Sequence, residues 1–268
     1  MPELPEVERA RQAMEAALDR AIRAVDDSDG WVCRPHRPGD IARALVGGRL
    51  VAAHRRGKTM WCDTVAPDGG PGPRLGIHLG MGGWIVVEAD DGEHVGGEPD
   101  RPESDAVRPE WERFSITFAD GGRLRLLDKR RLGRVRLEPD LDGLGPDALM
   151  ISRAEFRERV RRGRAPVKAR LQDQGVLAGV GNLLADEVLW QARVPPRTPV
   201  DQLGDDVLDR LHVATRRVLE AAIANGGAHT GEVVPFRKAG ASCPRCGAPM
   251  VRGQVGGRST WWCSAEQS

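Results

Sequence analysis

The chain has 268 residues, 40% of them apolar, and its 40 Lys and Arg nearly cancel 39 Asp and Glu, leaving a formal net charge of +1. That length and apolar share can bury a core without covalent staples, as one large domain or two modest ones, and the even balance excludes a uniformly basic or acidic chain. No apolar run is long enough to cross a bilayer and the start lacks a signal-peptide pattern, so a cytosolic protein is expected.

After Pro2-Glu-Leu-Pro-Glu6, apolar residues at Val7, Ala10, Met14, Ala17, Leu18 and Ile22 predict an amphipathic helix, with Pro5 tolerated in its first turn. From Leu50 to Leu137 the pattern changes to short alternating runs broken by glycine, such as 83–87, 114–118 and 124–127, which predicts a β-rich domain built as a sandwich. Between two of these strands, Ala89 to Pro109 is rich in Gly, Pro, Asp and Glu and reads as a long mobile loop. Beyond Pro139 the texture is helical, over Arg153–Arg162, Asn182–Ala192 and Val207–Ala222, with Asn225-Gly-Gly227 as a C-cap. The expected fold is therefore α+β: an N-terminal β-sandwich flanked by helices over 1–138, a helical domain over 139–230, and a small cysteine-bearing hairpin over 231–268.

Charge is unevenly spread. Arg123 to Arg170 carries fifteen basic against seven acidic residues, whereas Glu88 to Glu112 carries ten acidic against two basic. One stretch suits phosphates and the other repels them, unless both are simply solvated faces.

Of five cysteines, Cys33 and Cys62 stand alone, while Cys243, Cys246 and Cys263 cluster near the end, a pattern of metal binding rather than disulfides. Cys243-Pro-Arg-Cys246 is a two-thiolate knuckle, and Cys263 follows at the spacing of a zinc ribbon. The fourth ligand of such a ribbon falls at Glu266, a carboxylate where a fourth thiolate is the norm. Structural zinc on Cys243, Cys246, Cys263 and Glu266 is the expectation; the alternative is a metal-free ribbon held by Trp261 and Trp262. Its Arg245, Arg252 and Arg258, with no acid between Arg237 and Ala265, suit contact with a phosphate backbone.

Removal of Met1 would leave Pro2 with a free secondary amine, a nucleophile that gives an iminium without further proton loss. An α-amino group titrates at about 8, and Glu3 and Glu6 stand close by to move protons. Alone this is weak, because Pro and Glu are also ordinary helix openers.

The combination is specific. Pro2-Glu-Leu-Pro-Glu-Val-Glu8, Gly57-Lys58, His78-Leu-Gly-Met81, Asp128-Lys-Arg-Arg-Leu-Gly133, Gly179-Val-Gly-Asn182 with Glu187, and the terminal ribbon occur in one order. In that order the chain resembles the formamidopyrimidine-DNA glycosylase and endonuclease VIII family from end to end. The resemblance implies a catalytic N-terminal domain, a helix–two-turn–helix DNA-binding domain and a zinc-finger hairpin. It further implies a bifunctional glycosylase and AP lyase of base excision repair, in which the Pro2 amine attacks C1′, expels the damaged base and holds the sugar as a Schiff base through β,δ-elimination.

Residue by residue, Glu3 matches the acid that protonates the sugar ring, Glu6 the supporting carboxylate, and Lys58 the lysine beside the lesion, which without its neighbours would read as a surface turn lysine. The target base must be flipped out, and Met81, Arg130 and Leu132 match the residues that fill the hole, with Leu132 where phenylalanine is usual. His78, Lys168, Asn182 and Arg258 match phosphate contacts, and Asn182 after two glycines also suits an anion at a helix start. Glu187 matches a helix glutamate near the nucleotide, or is a capping carboxylate. The segment 226–236 lacks the usual loop of oxidised-purine enzymes and the chain has no tyrosine, so neither assigns a lesion; oxidised pyrimidines or abasic sites are placed slightly ahead of oxidised purines as substrates. The implied partner is double-stranded DNA with a damaged base or abasic site, bound by a monomer in the bacterial cytosol. A non-catalytic damaged-DNA-binding paralogue is the rival; a zinc-ribbon transcription factor leaves the other motifs unexplained.

Overall fold

The computed structural model describes residues 2–97 and 108–268. Its contacts divide the chain into two compact units, Pro2 with Glu6–Leu141, and Glu3–Pro5 with Asp142–Ser268.

The first unit is a two-sheet sandwich with helices at its flank. Helix α1, Leu4–Glu15, buries Val7, Ala10 and Met14, but stops short of the expected length. Asp19 takes a left-handed φ of 58° and donates its N–H to Leu50 O at 2.7 Å, turning the chain back. Ile22 therefore starts strand β1, Ile22–Asp26, instead of continuing the helix; it is buried in either role, which is why the helical period ran on through it.

One sheet holds β2 (Arg49–Arg56), β3 (Thr59–Val65), β4 (Pro71–His78) and β9 (Arg134–Leu137) in that order. The other runs β1-β7-β8-β5-β6, with β5 Trp84–Ala89, β6 Gly92–Gly97, β7 Glu112–Phe118 and β8 Arg123–Leu127. Every pairing is antiparallel. Met60, Cys62, Leu75 and Ile77 from the first sheet share one apolar core with Ile85, Phe114, Ile116 and Leu126 from the second, as period-2 alternation requires.

The segment expected as a loop from Ala89 is partly sheet. Ala89 pairs with Gly92 across a two-residue turn, and β6 continues the ladder to Gly97 opposite Trp84. Its polar, glycine-rich composition hid an edge strand whose Gly96 must be a glycine, because a Cβ there would lie 2.2 Å from Arg9 O of α1. The remainder of that expected loop, 98–107, lies outside the described residues.

A short helix, α2 (Asp40–Leu45), went unpredicted. Its first turn is capped from a distance: the buried Asp27 carboxylate accepts N–H bonds from Gly39 (2.7 Å), Ile41 (2.8 Å) and Ala42 (3.3 Å).

The second unit contains α3 (Arg153–Arg161), α4 (Val167–Gln172), α5 (Asn182–Ala192) and α6 (Asp205–Asn225), around a core that also takes in Leu4. Helix α4, too short for a periodic signature, was not expected. Gly226 closes α6 with φ 110°, the C-cap the double glycine announced. The terminal hairpin, β10 (Met250–Val255) and β11 (Arg258–Cys263), turns at Gly256-Gly257. It clusters with Trp190 of α5, Val233, Cys243, Met250 and Cys263 and is grouped with the helices. No helix among the described residues is long and apolar enough to cross a membrane.

Asp27→Ala leaves three α2 donors without their acceptor and should lower unfolding free energy by about 2 kcal/mol. Urea melts that coincide with wild type would show that the cap is not stabilising.

Candidate functional site

In the second unit, the start of the chain is fixed by a helix terminus. The buried Glu3 carboxylate accepts N–H bonds from Gly181 (2.7 Å), Leu183 (2.8 Å) and Leu184 (3.2 Å), the first turn of α5. Leu4 N–H donates to Gly179 O at 3.1 Å. A Cβ on Gly181 would lie 2.3 Å from the Glu3 carboxyl carbon, so this glycine makes room for the carboxylate. The anion expected at this helix start is thus supplied mainly by Glu3 itself. Asn182 keeps a half-exposed side chain, with Oδ1 accepting from Gln172 at 3.3 Å and its amide hydrogens left as donors. Pro2, directly before Glu3, is buried.

In the first unit, Lys58 sits in the two-residue turn between β2 and β3, after Gly57 at φ 60°. Its charge, with those of Arg134 and Arg136, adds to burial in holding the His78 imidazole below its usual range, so His78 is neutral at pH 7. Its Nδ1 accepts the Gly80 N–H at 3.0 Å, which leaves Nε2–H as the donor. Met81, Arg130 and Leu132 are all exposed, on two loops in close contact: a Cβ on Gly80 would lie 2.4 Å from the Leu132 carbonyl carbon, and one on Gly82 4.0 Å from Arg130 Cδ. The loop carrying Arg130 and Leu132 is shaped by the buried Asp128, whose carboxylate accepts from Arg130 N (2.9 Å) and Gly133 N (2.6 Å). Glu6 is buried near the start of α1.

Lys168, expected as a phosphate contact, is turned into the protein. It is fully buried: Nζ lies 2.7 Å from Asp186 Oδ1 and donates to Ser259 O (3.0 Å) and Thr260 Oγ1 (2.8 Å). Burial pulls the ammonium down from its ordinary value and pushes the Asp186 carboxyl up, each opposed by the other's charge. Asp186 Oδ2 also accepts from Arg237 Nε (2.8 Å) and Trp261 N (3.2 Å). This network therefore fastens α4 and α5 to the residues next to Arg258. Arg258 itself is exposed at the hairpin turn, with no ion pair among the described residues. Glu187 is buried too; its oxygens accept from Val233 N (2.8 Å) and Gln191 Nε2 (3.0 Å), bracing the segment after α6.

The Sγ atoms of Cys243, Cys246 and Cys263 lie within 4.8 Å of one another. Burial pushes the Cys243 thiol up, but donors led by Trp190 Nε1, 3.3 Å from its sulfur, bring it to about 7, which favours the metal-binding thiolate. Glu266 is not part of this cluster. Its carboxylate faces Arg245 (2.8 Å) and Arg193 (3.8 Å) instead of the thiols; its N–H approaches Cys263 Sγ, at 3.4 Å.

Residues 1–135 match the formamidopyrimidine-DNA glycosylase N-terminal domain, and residues 143–233 its H2TH domain. The chain belongs to the formamidopyrimidine-DNA glycosylase family. It is 33% identical to the formamidopyrimidine-DNA glycosylase of Chloroflexus aurantiacus, over 98% of this chain and 96% of that one, and 35% identical to that of Thermomicrobium roseum, over 98% of each. Among solved structures it resembles the Lactococcus lactis enzyme in complex with DNA containing an abasic site, at 27% identity and a TM-score of 0.79 over 99% of both chains.

Asp128 and Asp186 are the residues sequence reasoning missed, and Gly181, read there as room for a phosphate, makes room for Glu3. Asp128 stood unremarked at the head of the Asp128–Gly133 motif, and Asp186 was masked by its place one helical turn after Asn182, where an acid reads as solvent-facing. Asp186→Asn strands a buried ammonium and should cost about 3–5 kcal/mol in urea unfolding, much of it recovered when Lys168→Met is added. Simple additivity of the two losses would show that the charges are not paired.

Proposed function

We propose that the chain is a DNA glycosylase of base excision repair that also acts as an AP lyase, with the Pro2 nitrogen as nucleophile. The observation that carries this reading is the junction at residues 2 and 3: an imino acid directly ahead of a carboxylate fixed on three N–H groups of α5, in a chain of this family.

With Met1 removed, the nitrogen lone pair bonds to C1′ while the glycosidic bond breaks, and the base departs with the electron pair and takes up a proton. The N–H proton of the new ammonium passes to the Glu3 or Glu6 carboxylate and from there to the ring oxygen as the C1′–O4′ bond opens, giving the iminium. Proton loss from C2′ then expels the 3′ phosphate and proton loss from C4′ the 5′ phosphate, before water releases the sugar. The Glu3 carboxylate, held in place, also stabilises the cationic iminium beside it. Lys58 and the Nε2–H of His78 face phosphate oxygens, Asn182 and Arg258 hold further phosphates, and Met81, Arg130 and Leu132 fill the space the flipped base leaves. Oxidised pyrimidines and abasic sites stand slightly ahead of oxidised purines as substrates in this reading.

The three cysteines fit a soft cation, and zinc is the ion their chemistry selects. It would brace the hairpin that carries Arg258.

Borohydride should trap the mature chain covalently on duplex DNA with an abasic site, and Pro2→Gly should cut trapping by at least about a hundredfold, the scale of losing a covalent nucleophile. Binding without any trapping by the wild type would instead establish a non-catalytic damage binder. For the metal, purified Glu266→Gln should keep the zinc content of the wild type while Cys246→Ser loses it; zinc loss in Glu266→Gln would restore the carboxylate as a ligand.

A further inference from the structure

The outer face of the four-stranded sheet in the first unit carries a second set of cations. On β9, Val135 points into the core, so Arg134 and Arg136 share the opposite face. Their cross-strand partners on β4 are His78 and Gly76. Gly76 offers no side chain, and Pro139 packs directly on it, 2.6 Å from where a Cβ would lie, so the proline ring forms part of the wall beside the arginines. The result is a groove of about 400 Å³ whose lining includes Thr59, His78, Leu132, Arg134 and Arg136, with Asp140 as its acid.

These arginines are held differently from those on the neighbouring strands and loop. Arg113, Arg123, Arg125 and Arg131 each face a carboxylate. Arg34, Arg134 and Arg136 have no ion pair among the described residues. They are gathered instead by Trp31, an indole 52% exposed: the Arg34 guanidinium lies 3.6 Å from the centre of its ring and that of Arg134 5.5 Å. Arg136 Nε donates to Arg34 O at 3.2 Å, and Arg34 Nη1 is buried without a hydrogen-bond partner. A ring positions a guanidinium without cancelling its charge, whereas a carboxylate cancels it. Burial together with Arg34 and Arg136 pushes the Arg134 guanidinium below its ordinary value, against the weaker pull of Asp128 and Asp29, so the three like charges gathered here are only partly offset. Trp31 Nε1–H also donates to Arg131 O at 3.0 Å, which ties this cluster to the loop of Arg130 and Leu132.

We propose that Arg134 and Arg136, with Arg34 held against Trp31, form an additional phosphate-binding surface that takes the sugar–phosphate backbone of duplex DNA beside the Met81–Leu132 loops. This rests on the reading of the chain as a DNA-binding enzyme. The occupant is a backbone because the groove offers guanidinium forks and a neutral imidazole donor. The groove's acceptors, the Thr59 hydroxyl and the Asp140 carboxylate, are outnumbered by these donors, which suit phosphate oxygens better than the mixed edges of bases. The binding is therefore independent of sequence and lesion.

The test is a fluorescence-anisotropy titration of a labelled duplex carrying one stable abasic analogue, and of its undamaged counterpart, over a series of KCl concentrations. Removing one cation that neutralises a phosphate should reduce the slope of log affinity against log salt by about 0.9. Arg136→Gln, at an exposed position, should lower the slope by one such step, and Arg134→Gln with Arg136→Gln by two, equally on both duplexes. Trp31→Leu should weaken binding and Trp31→Phe should restore it, because the ring is what holds the arginines. Slopes equal to wild type in both arginine variants would overturn the proposal while leaving the glycosylase reading intact. A wild-type chain that binds neither duplex would overturn both.

Discussion

The contact on which the arrangement depends is the Glu3 carboxylate on the first turn of α5. A helix begins with N–H groups that have no partner inside it and with the positive end of its dipole. Here three of those groups are satisfied by a side chain from the third residue of the chain, and Leu4 adds a backbone bond to Gly179. A terminus is ordinarily the least ordered part of a domain; this one is pinned by a buried, charge-assisted set of hydrogen bonds. The Gly-Val-Gly-Asn segment gains a second meaning from this. Gly181 is a glycine so that residue 3 can approach, because any Cβ would overlap its carboxyl group. A nucleophile at residue 2 needs such a neighbour, since an amine on a frayed end has no fixed geometry to offer.

The two units hold their cations by contrasting means. Lys168 is immobilised by Asp186 and by oxygens of Ser259 and Thr260, so its charge is neutralised inside the protein, and it braces the hairpin that carries Arg258. Arg34 and Arg134 are held by an indole, so their charge remains for an outside anion. Sequence gives both kinds of residue the same appearance, a basic side chain in a basic stretch. The distinction lies in the partner, which comes from a distant part of the chain: residue 186 for Lys168, residue 31 for the arginines.

That difference marks the limit of what the sequence made legible. Local periodicity gave α5 its full span and the alternating runs the sandwich, the double glycine gave α6 its cap, and ordered motifs gave the family and the residues of the Met81 and Leu132 loops. It failed where long-range contacts decide. Ile22 fits a helical stripe, but its partner is Phe118 of β7. Gly92–Gly97 has a loop's composition, yet pairs along β5. Glu266 stands at a ligand's spacing, and Arg245 and Arg193 claim its carboxylate. In each case the sequence specified the residue correctly and left the competing partner out of view.

In the wedge loop, backbone shape and tip chemistry are set by different residues. Asp128 ties both Arg130 and Gly133 to itself, and Gly80 packs directly on the Leu132 backbone. None of these contacts involves the side chain of residue 132, so leucine in place of phenylalanine leaves the loop's path unchanged and alters only what its tip presents. An aliphatic tip fills space but lacks the ring face that stacks on a base. In the proposed reaction the partner strand is then held less by stacking at residue 132, and discrimination of the opposite base shifts toward Arg130, whose guanidinium can reach acceptors on the orphaned base.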